Sequence, residues 1–201
     1  MIDISNPHPE VVKKADNESL QVTPTAHLNS GLGGIGSCPV QQILIFGNSG
    51  SGKSTLAKKL CAAHKLNHLD LDTLAWEEAS PPVRKAIHVS QQQIDEFISG
   101  NSGWIIEGCY SDLLELVIDD ANEIVFLNLP VEACIENAKK RPWEPHKYSS
   151  KEEQGSNLDM LIDWISQYPE RDDTFSAAAH RQLYEGFSGT KHMFTSNAQT
   201  T

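Results

Sequence analysis

Gly47-Asn48-Ser49-Gly50-Ser51-Gly52-Lys53-Ser54-Thr55 fits the pattern G-x-x-x-x-G-K-[ST], and the apolar run Ile43-Leu44-Ile45-Phe46 leads straight into it. This stretch constrains the fold more than any other feature of the chain. It requires a strand that turns sharply into a helix, so that backbone N–H groups and the positive helix end converge on phosphate oxygens. Glycines let the backbone come that close. Lys53 can reach the β- and γ-phosphates as a mobile cation, while the Ser54 hydroxyl can ligate the Mg²⁺ that accompanies them. Gly47 through Thr55 are therefore the candidate nucleotide-binding residues, and they specify a triphosphate without saying what is done with it.

From residue 42 onward, short apolar runs alternate with helical patterns, which argues for an α/β fold with a parallel sheet covered by helices. The spacing predicts strands at about 42–47, 67–71, 103–107, 123–128 and 191–195. Helices are expected at about 53–65, 88–99, 111–118, 131–141, 157–168 and 173–187. Pro130 and Pro142 give physical causes for two of these boundaries. Residues 1–40 are polar, carry Pro7, Pro9 and Pro24, and show no sustained period, so they read as a flexible extension ahead of one domain at 41–201. Within the extension, Gly31-Leu32-Gly33-Gly34-Ile35-Gly36 matches G-x-G-x-x-G but has no strand before it and no helix after it, so it does not read as a dinucleotide fingerprint.

Charge narrows the partners. A net charge of −11 with no dense Lys/Arg cluster argues against nucleic acid or an anionic membrane as the main ligand. No apolar run approaches the roughly eighteen residues of a membrane span, and the amino terminus lacks a basic start followed by an apolar stretch, so a cytoplasmic protein is expected. The cysteines at 38, 61, 109 and 134 lack C-x-x-C spacing, and the eight histidines lack metal-ligand spacing, which fits reduced thiols and no transition-metal site.

Carboxylates mark the ends of two predicted strands. Alternation in His68-Leu69-Asp70-Leu71-Asp72 puts Asp70 and Asp72 on one side, at the sheet edge where ligands of open α/β folds bind. One of them can hold Mg²⁺ through water or orient an acceptor hydroxyl; Asp72 can instead cap a short helix. Trp104-Ile105-Ile106-Glu107 has the arrangement of a strand whose terminal acid binds the magnesium hydration shell, or else it ends an edge strand with a surface glutamate. Arg141 closes a predicted helix before a loop at 141–148, and Arg171 follows that loop. Their planar donors suit charge spreading over a transferring phosphoryl group, although arginines near helix ends also serve only the helix dipole.

Together, the loop 47–55, Asp70/Asp72, Ile105-Ile106-Glu107-Gly108-Cys109-Tyr110, Ile124-Val125-Phe126-Leu127-Asn128-Leu129-Pro130 and Arg171-Asp172-Asp173 resemble the adenylate-kinase-related P-loop kinases. The nearest resemblance is to small kinase-like proteins often labelled DNA topology modulation proteins. It covers about residues 42–195 and implies a three-layer α/β/α P-loop NTPase fold with a five-stranded parallel sheet, a short lid and an acceptor region between about Asp70 and Ser102. In adenylate kinases the strand acid is followed by an acceptor-gripping arginine, which Glu107-Gly108-Cys109-Tyr110-Ser111 lacks. Of the family's two arginines four apart before the lid, only Arg141 has a match; Asn137 occupies the first position. A nucleoside monophosphate thus loses an anchor, while ATP binding is untouched.

The expected activity is ATP- and Mg²⁺-dependent phosphoryl transfer to a small acceptor. Lys53, Asp72, Arg141 and Arg171 are the expected catalytic residues, with Ser54, Asp70 and Glu107 on the metal side. The alternative is an ATP-binding regulatory ATPase or switch, associated with DNA if the family label holds.

Overall fold

The computed structural model describes residues 40–79, 81–143 and 150–200. The flexible extension expected at 1–40, except Val40, lies outside the described residues, as does the part of the expected 141–148 loop from residue 144 onward. Five parallel strands, β1 (Gln42–Gly47), β2 (Asn67–Asp70), β3 (Trp104–Gly108), β4 (Glu123–Leu127) and β5 (Thr190–Phe194), form one sheet in the order β2-β3-β1-β4-β5. The helices are α1 (Lys53–His64), α2 (Ile87–Gly100), α3 (Ser111–Glu115), α4 (Val131–Lys140), α5 (Lys151–Ser156), α6 (Leu158–Ser166) and α7 (Ala177–Gly186). Short 3-10 helices lie at Leu71–Thr73, Ile118–Asp120 and Asn197–Thr200.

Strands buried on both faces read as continuous apolar runs, and β1 shows why. Successive side chains point to opposite faces. Leu44 and Phe46 therefore join one core, with Ile94 of α2, Leu113 and Leu114 of α3 and Leu183 of α7. Ile43 and Ile45 join the other, with Leu56 of α1, Cys134 of α4 and Ile165 of α6. Phe46 and Phe126 stack at 5.2 Å between centroids within the first core. The result is three layers, with helices on both faces of the sheet.

The order places β1 between β3 and β4, so the connections leaving the carboxyl ends of β1 and β3 run to opposite sides of the sheet. That edge is where a crevice opens in folds of this kind. Gly47 and Glu107-Gly108 end β1 and β3 there.

Several boundaries depart from the sequence expectation for local reasons. β2 stops at Asp70 because Leu71–Thr73 turns into a 3-10 helix, with Asp70 rather than Asp72 as its cap: the Asp70 carboxylate accepts the Asp72 N–H at 3.0 Å. The helix expected at 111–118 ends at Glu115, and the chain tightens through the bond from Val117 N–H to the Leu114 carbonyl into Ile118–Asp120. The helix expected from 173 starts at Ala177. Asp173 instead accepts the Phe175 N–H at 2.9 Å, and Ser176 caps the helix through Ala179 N–H. The helix expected at 157–168 is α6, and the preceding α5 was not anticipated.

Candidate active site

The loop between β1 and α1 is shaped by its glycines. Gly50 (φ 75°) and Gly52 (φ 95°) adopt left-handed backbone that side chains disfavour, and a Cβ on Gly50 would collide with the Cys134 carbonyl oxygen of α4. Three asparagines hold the loop, Asn48 from within it and Asn137 and Asn197 from outside. Asn48 Nδ2 donates to the Ile165 carbonyl at 3.1 Å, Asn137 Nδ2 to the Gly50 carbonyl at 2.9 Å, and Asn197 Nδ2 to the Ser51 carbonyl at 3.0 Å. Asn137 also donates to Asn197 Oδ1 at 2.8 Å, so α4 and the final 3-10 helix form a clasp on the loop.

Lys53 is buried, and its Nζ donates to the Asn48 carbonyl at 2.9 Å. The buried Ser51 hydroxyl has no hydrogen-bond partner among the described residues. A cradle that admits no Cβ, a cation folded onto its own loop and an unsatisfied hydroxyl fit a polyanion better than they fit a surface turn.

Over this loop lies a cavity of about 760 Å³. Ser49, Gly50, Gly52, Lys53, Ser54 and Thr55 line it, opposite Asp72, Glu107 and Arg141. Glu107 is 1% exposed, and its Oε1 stands 3.5 Å from His68 Nε2, too far for a good hydrogen bond. Both atoms lack hydrogen-bond partners among the described residues. A second cavity of about 530 Å³ adjoins the first and shares Ser49, Asp72, Cys109 and Leu161 with it.

Asp72 sits where the cavities meet, held by a directional chain. The indole N–H of Trp76 can only donate, and it does so to the Tyr110 hydroxyl at 2.8 Å; that hydroxyl in turn donates to Asp72 Oδ1 at 2.7 Å. Burial, reinforced by the Asp72 charge and hydrogen bond, pushes the Tyr110 pKa well above its ordinary value, so the phenol stays a donor. Burial also pushes the Cys109 thiol up to about 12, with Asp72 and Glu107 acting in the same direction against Lys53. Cys109 is thus a neutral thiol, unsuited to nucleophilic attack.

Beneath the end of β3, His180 fixes the Cys109 backbone. Its Nε2 lies 3.1 Å from the Cys109 carbonyl, which can only accept, so Nε2 carries the proton and Nδ1 accepts from the Tyr168 hydroxyl at 2.8 Å. Burial pushes this histidine down to about 3, and the charge of Lys53 acts in the same sense.

The candidate residues are therefore not all together. Lys53, Ser54, Asp72, Glu107 and Arg141 share one cavity, whereas Asp70 caps Leu71–Thr73 and is absent from its lining. Arg171 also lies off both linings: its guanidinium meets the Asp173 carboxylate at 2.5 Å and stacks 3.5 Å over Trp164. The sequence reading missed Asn197 and Thr200, which line the first cavity from the far end of the chain. It noted Asn137 only as a missing arginine, and no local pattern announces these contacts.

A family model described as an AAA domain matches residues 43–157, more than half of the chain. The chain belongs to the AAA domain family. The match takes in the loop, Asp72, Glu107 and Arg141 of this AAA domain but stops short of Arg171 and the Asn197 clasp. A curated relative, the adenylate kinase of Prochlorococcus marinus (strain MIT 9313), is 29% identical over 90 residues, covering 37% of this chain. The chain spans about half the length of that relative, 50% of it. Similar solved structures include a sugar kinase from Janibacter sp. HTCC2649, with 14% identity, a TM-score of 0.45, and coverage of 78% of this chain and 86% of that one. Another is the shikimate kinase of Bacteroides thetaiotaomicron, with 17% identity, a TM-score of 0.39, and coverage of 72% and 97%.

Proposed function

We propose that the domain transfers the γ-phosphate of ATP to a small acceptor. The observation that carries this reading is the sharing of Asp72 between the cavity over the phosphate-type loop and a second cavity beside it. A site for hydrolysis alone needs room for a water; a second chamber of about 530 Å³ suits a second substrate. The likeness to an adenylate kinase over 90 residues supports a kinase.

In this reading Lys53 leaves the Asn48 carbonyl for the β- and γ-phosphates, and the loop N–H groups take the remaining oxygens. Ser54 and Glu107, with Asp70 paired beside Glu107 on the neighbouring strand, would hold Mg²⁺, which would neutralise charge that develops on the phosphate oxygens. The acceptor hydroxyl oxygen attacks the γ-phosphorus, the bond from that phosphorus to the β,γ-bridging oxygen breaks, and the hydroxyl proton passes to Asp72. ADP carries away the bridging oxygen. Arg141 steadies the transferring group from the cavity wall. Arg171 serves the same group only by exchanging Asp173 for a phosphate oxygen.

Calorimetry of Lys53→Ala tests the donor half. It should weaken MgATP binding at least about a hundredfold, the loss of a charge-assisted anchor worth roughly 3 kcal/mol, while circular dichroism stays native. Unchanged affinity would sink this reading. An ATP-consumption screen with nucleosides, nucleotides, sugars and polyols tests the acceptor half. Turnover indifferent to every acceptor but stimulated by duplex DNA or a protein would instead favour the regulatory ATPase, and with it the DNA-associated label of the resembling proteins.

A further inference from the structure

The second cavity has a chemistry of its own. Trp76, Tyr110, Trp164 and Phe175 wall it, Met160 stands at its rim, and Asp72 provides its one charge among the described residues. No lysine, arginine or histidine is among those lining residues. Among the described lining residues, a phosphate or carboxylate entering here would meet only the Asp72 carboxylate, with no lining cation to offset its desolvation.

Aromatic walls with a carboxylate would ordinarily suit a cation. Here the rings are already committed. Arg84 packs over Trp76, Tyr110 and Phe175, 5.6, 4.9 and 5.4 Å from their centroids, while its Nη2 donates to Asp112 at 2.9 Å. Arg171 lies 3.5 Å from the Trp164 centroid and 5.3 Å from that of Phe175, held by Asp173. Two guanidiniums therefore draw on the π-electrons of all four wall rings, which weakens those rings as partners for a further cation. What remains is apolar contact area around a hydrogen-bond acceptor.

We infer that this cavity binds the phosphate acceptor as an uncharged, hydroxyl-bearing molecule with an apolar ring or chain, its hydroxyl on Asp72, rather than as a phosphate-bearing nucleotide or a cationic amine. The inference rests on the donor reading given above. The apolar body lies against Trp76, Trp164 and Phe175, and the hydroxyl hydrogen points to the carboxylate that Tyr110 holds in place.

A matched set of probes tests it: 2-phenylethanol, 2-phenylethylamine and 2-phenylethyl phosphate, titrated into the full chain while the indole N–H signals of Trp76 and Trp164 are followed by NMR. The neutral alcohol should move both signals saturably and bind at least about tenfold more tightly than either charged analogue. Equal or tighter binding of the amine or the phosphate overturns the inference. So does the absence of a saturable shift at Trp76 and Trp164. Met160→Lys, at a site 62% exposed and so without consequence for the core, should raise affinity for the phosphate analogue at least about fivefold by placing a cation at the rim. No gain there means that the probes bind elsewhere, and the inference falls. MgATP calorimetry on the same samples separates the two readings: absent MgATP binding sinks the donor site, whereas MgATP binding with a failed alcohol titration sinks only the acceptor class.

Discussion

Gly50 and His180 act at single positions for opposite reasons, one by lacking a side chain and the other by keeping its side chain uncharged. Gly50→Ala puts a Cβ into the Cys134 carbonyl at a φ of 75°. Left-handed strain and the collision together should cost about 2 kcal/mol or more, read as a lower urea midpoint, with MgATP binding weakened alongside. His180 sets a pH dependence. Its folded pKa of about 3 lies below the ordinary 6.5, so above pH 6.5 neither the folded nor the unfolded chain binds the proton and stability is full. As pH falls from 6.5 towards 3 the unfolded chain takes up a proton that the folded chain refuses, and stability drops by up to about 1.4 kcal/mol per pH unit. Thermal melts of His180→Gln should show a lower midpoint at pH 7.5 and a flatter fall to pH 5 than the parent. Parallel curves would mean that other groups set the acid limb.

At the scale of elements, the three central strands were legible because strands buried on both faces must be apolar throughout, as Ile43-Leu44-Ile45-Phe46 and Ile124-Val125-Phe126-Leu127 are, whereas the edge strands β2 and β5 stay partly exposed. The phosphate-type loop was legible because its chemistry demands adjacent residues. What escaped had no local signature. Lys151–Ser156 reads Lys-Glu-Glu-Gln-Gly-Ser and offers no apolar period. Alternation was carried two residues too far, to Asp72, because β2 ends at Asp70 and the 3-10 turn begins at Leu71. The clasp joins Asn137 to Asn197 across sixty residues and Asn197 to Ser51 across 146. Asn197→Ala removes both bonds from the last 3-10 helix to the loop and its partner. It should cost about 1 to 2 kcal/mol in the denaturation midpoint and weaken MgATP binding several-fold, while leaving the strands' amide exchange protected. An unchanged nucleotide affinity would show that the loop keeps its shape without the clasp.

For the molecule as a whole, charge and surface make a prediction about partners. With −11 at neutral pH the chain repels phosphodiester backbones, and fluorescence anisotropy with a duplex of about 20 base pairs at about 150 mM salt should show no saturable binding. Tight, salt-sensitive binding would turn attention to the regulatory ATPase. Among the described residues no helix is long and apolar enough to cross a membrane. The clasp also carries a consequence for the order in which the molecule comes into being. The loop at 47–55 leaves the ribosome early, but the asparagine that braces Ser51 is added 146 residues later, roughly ten to thirty seconds at ordinary rates of synthesis. Until Asn197 has been added, the nascent chain carries the 47–55 loop unbraced at Ser51, and on the proposed reading full nucleotide affinity comes only after β5 has been made.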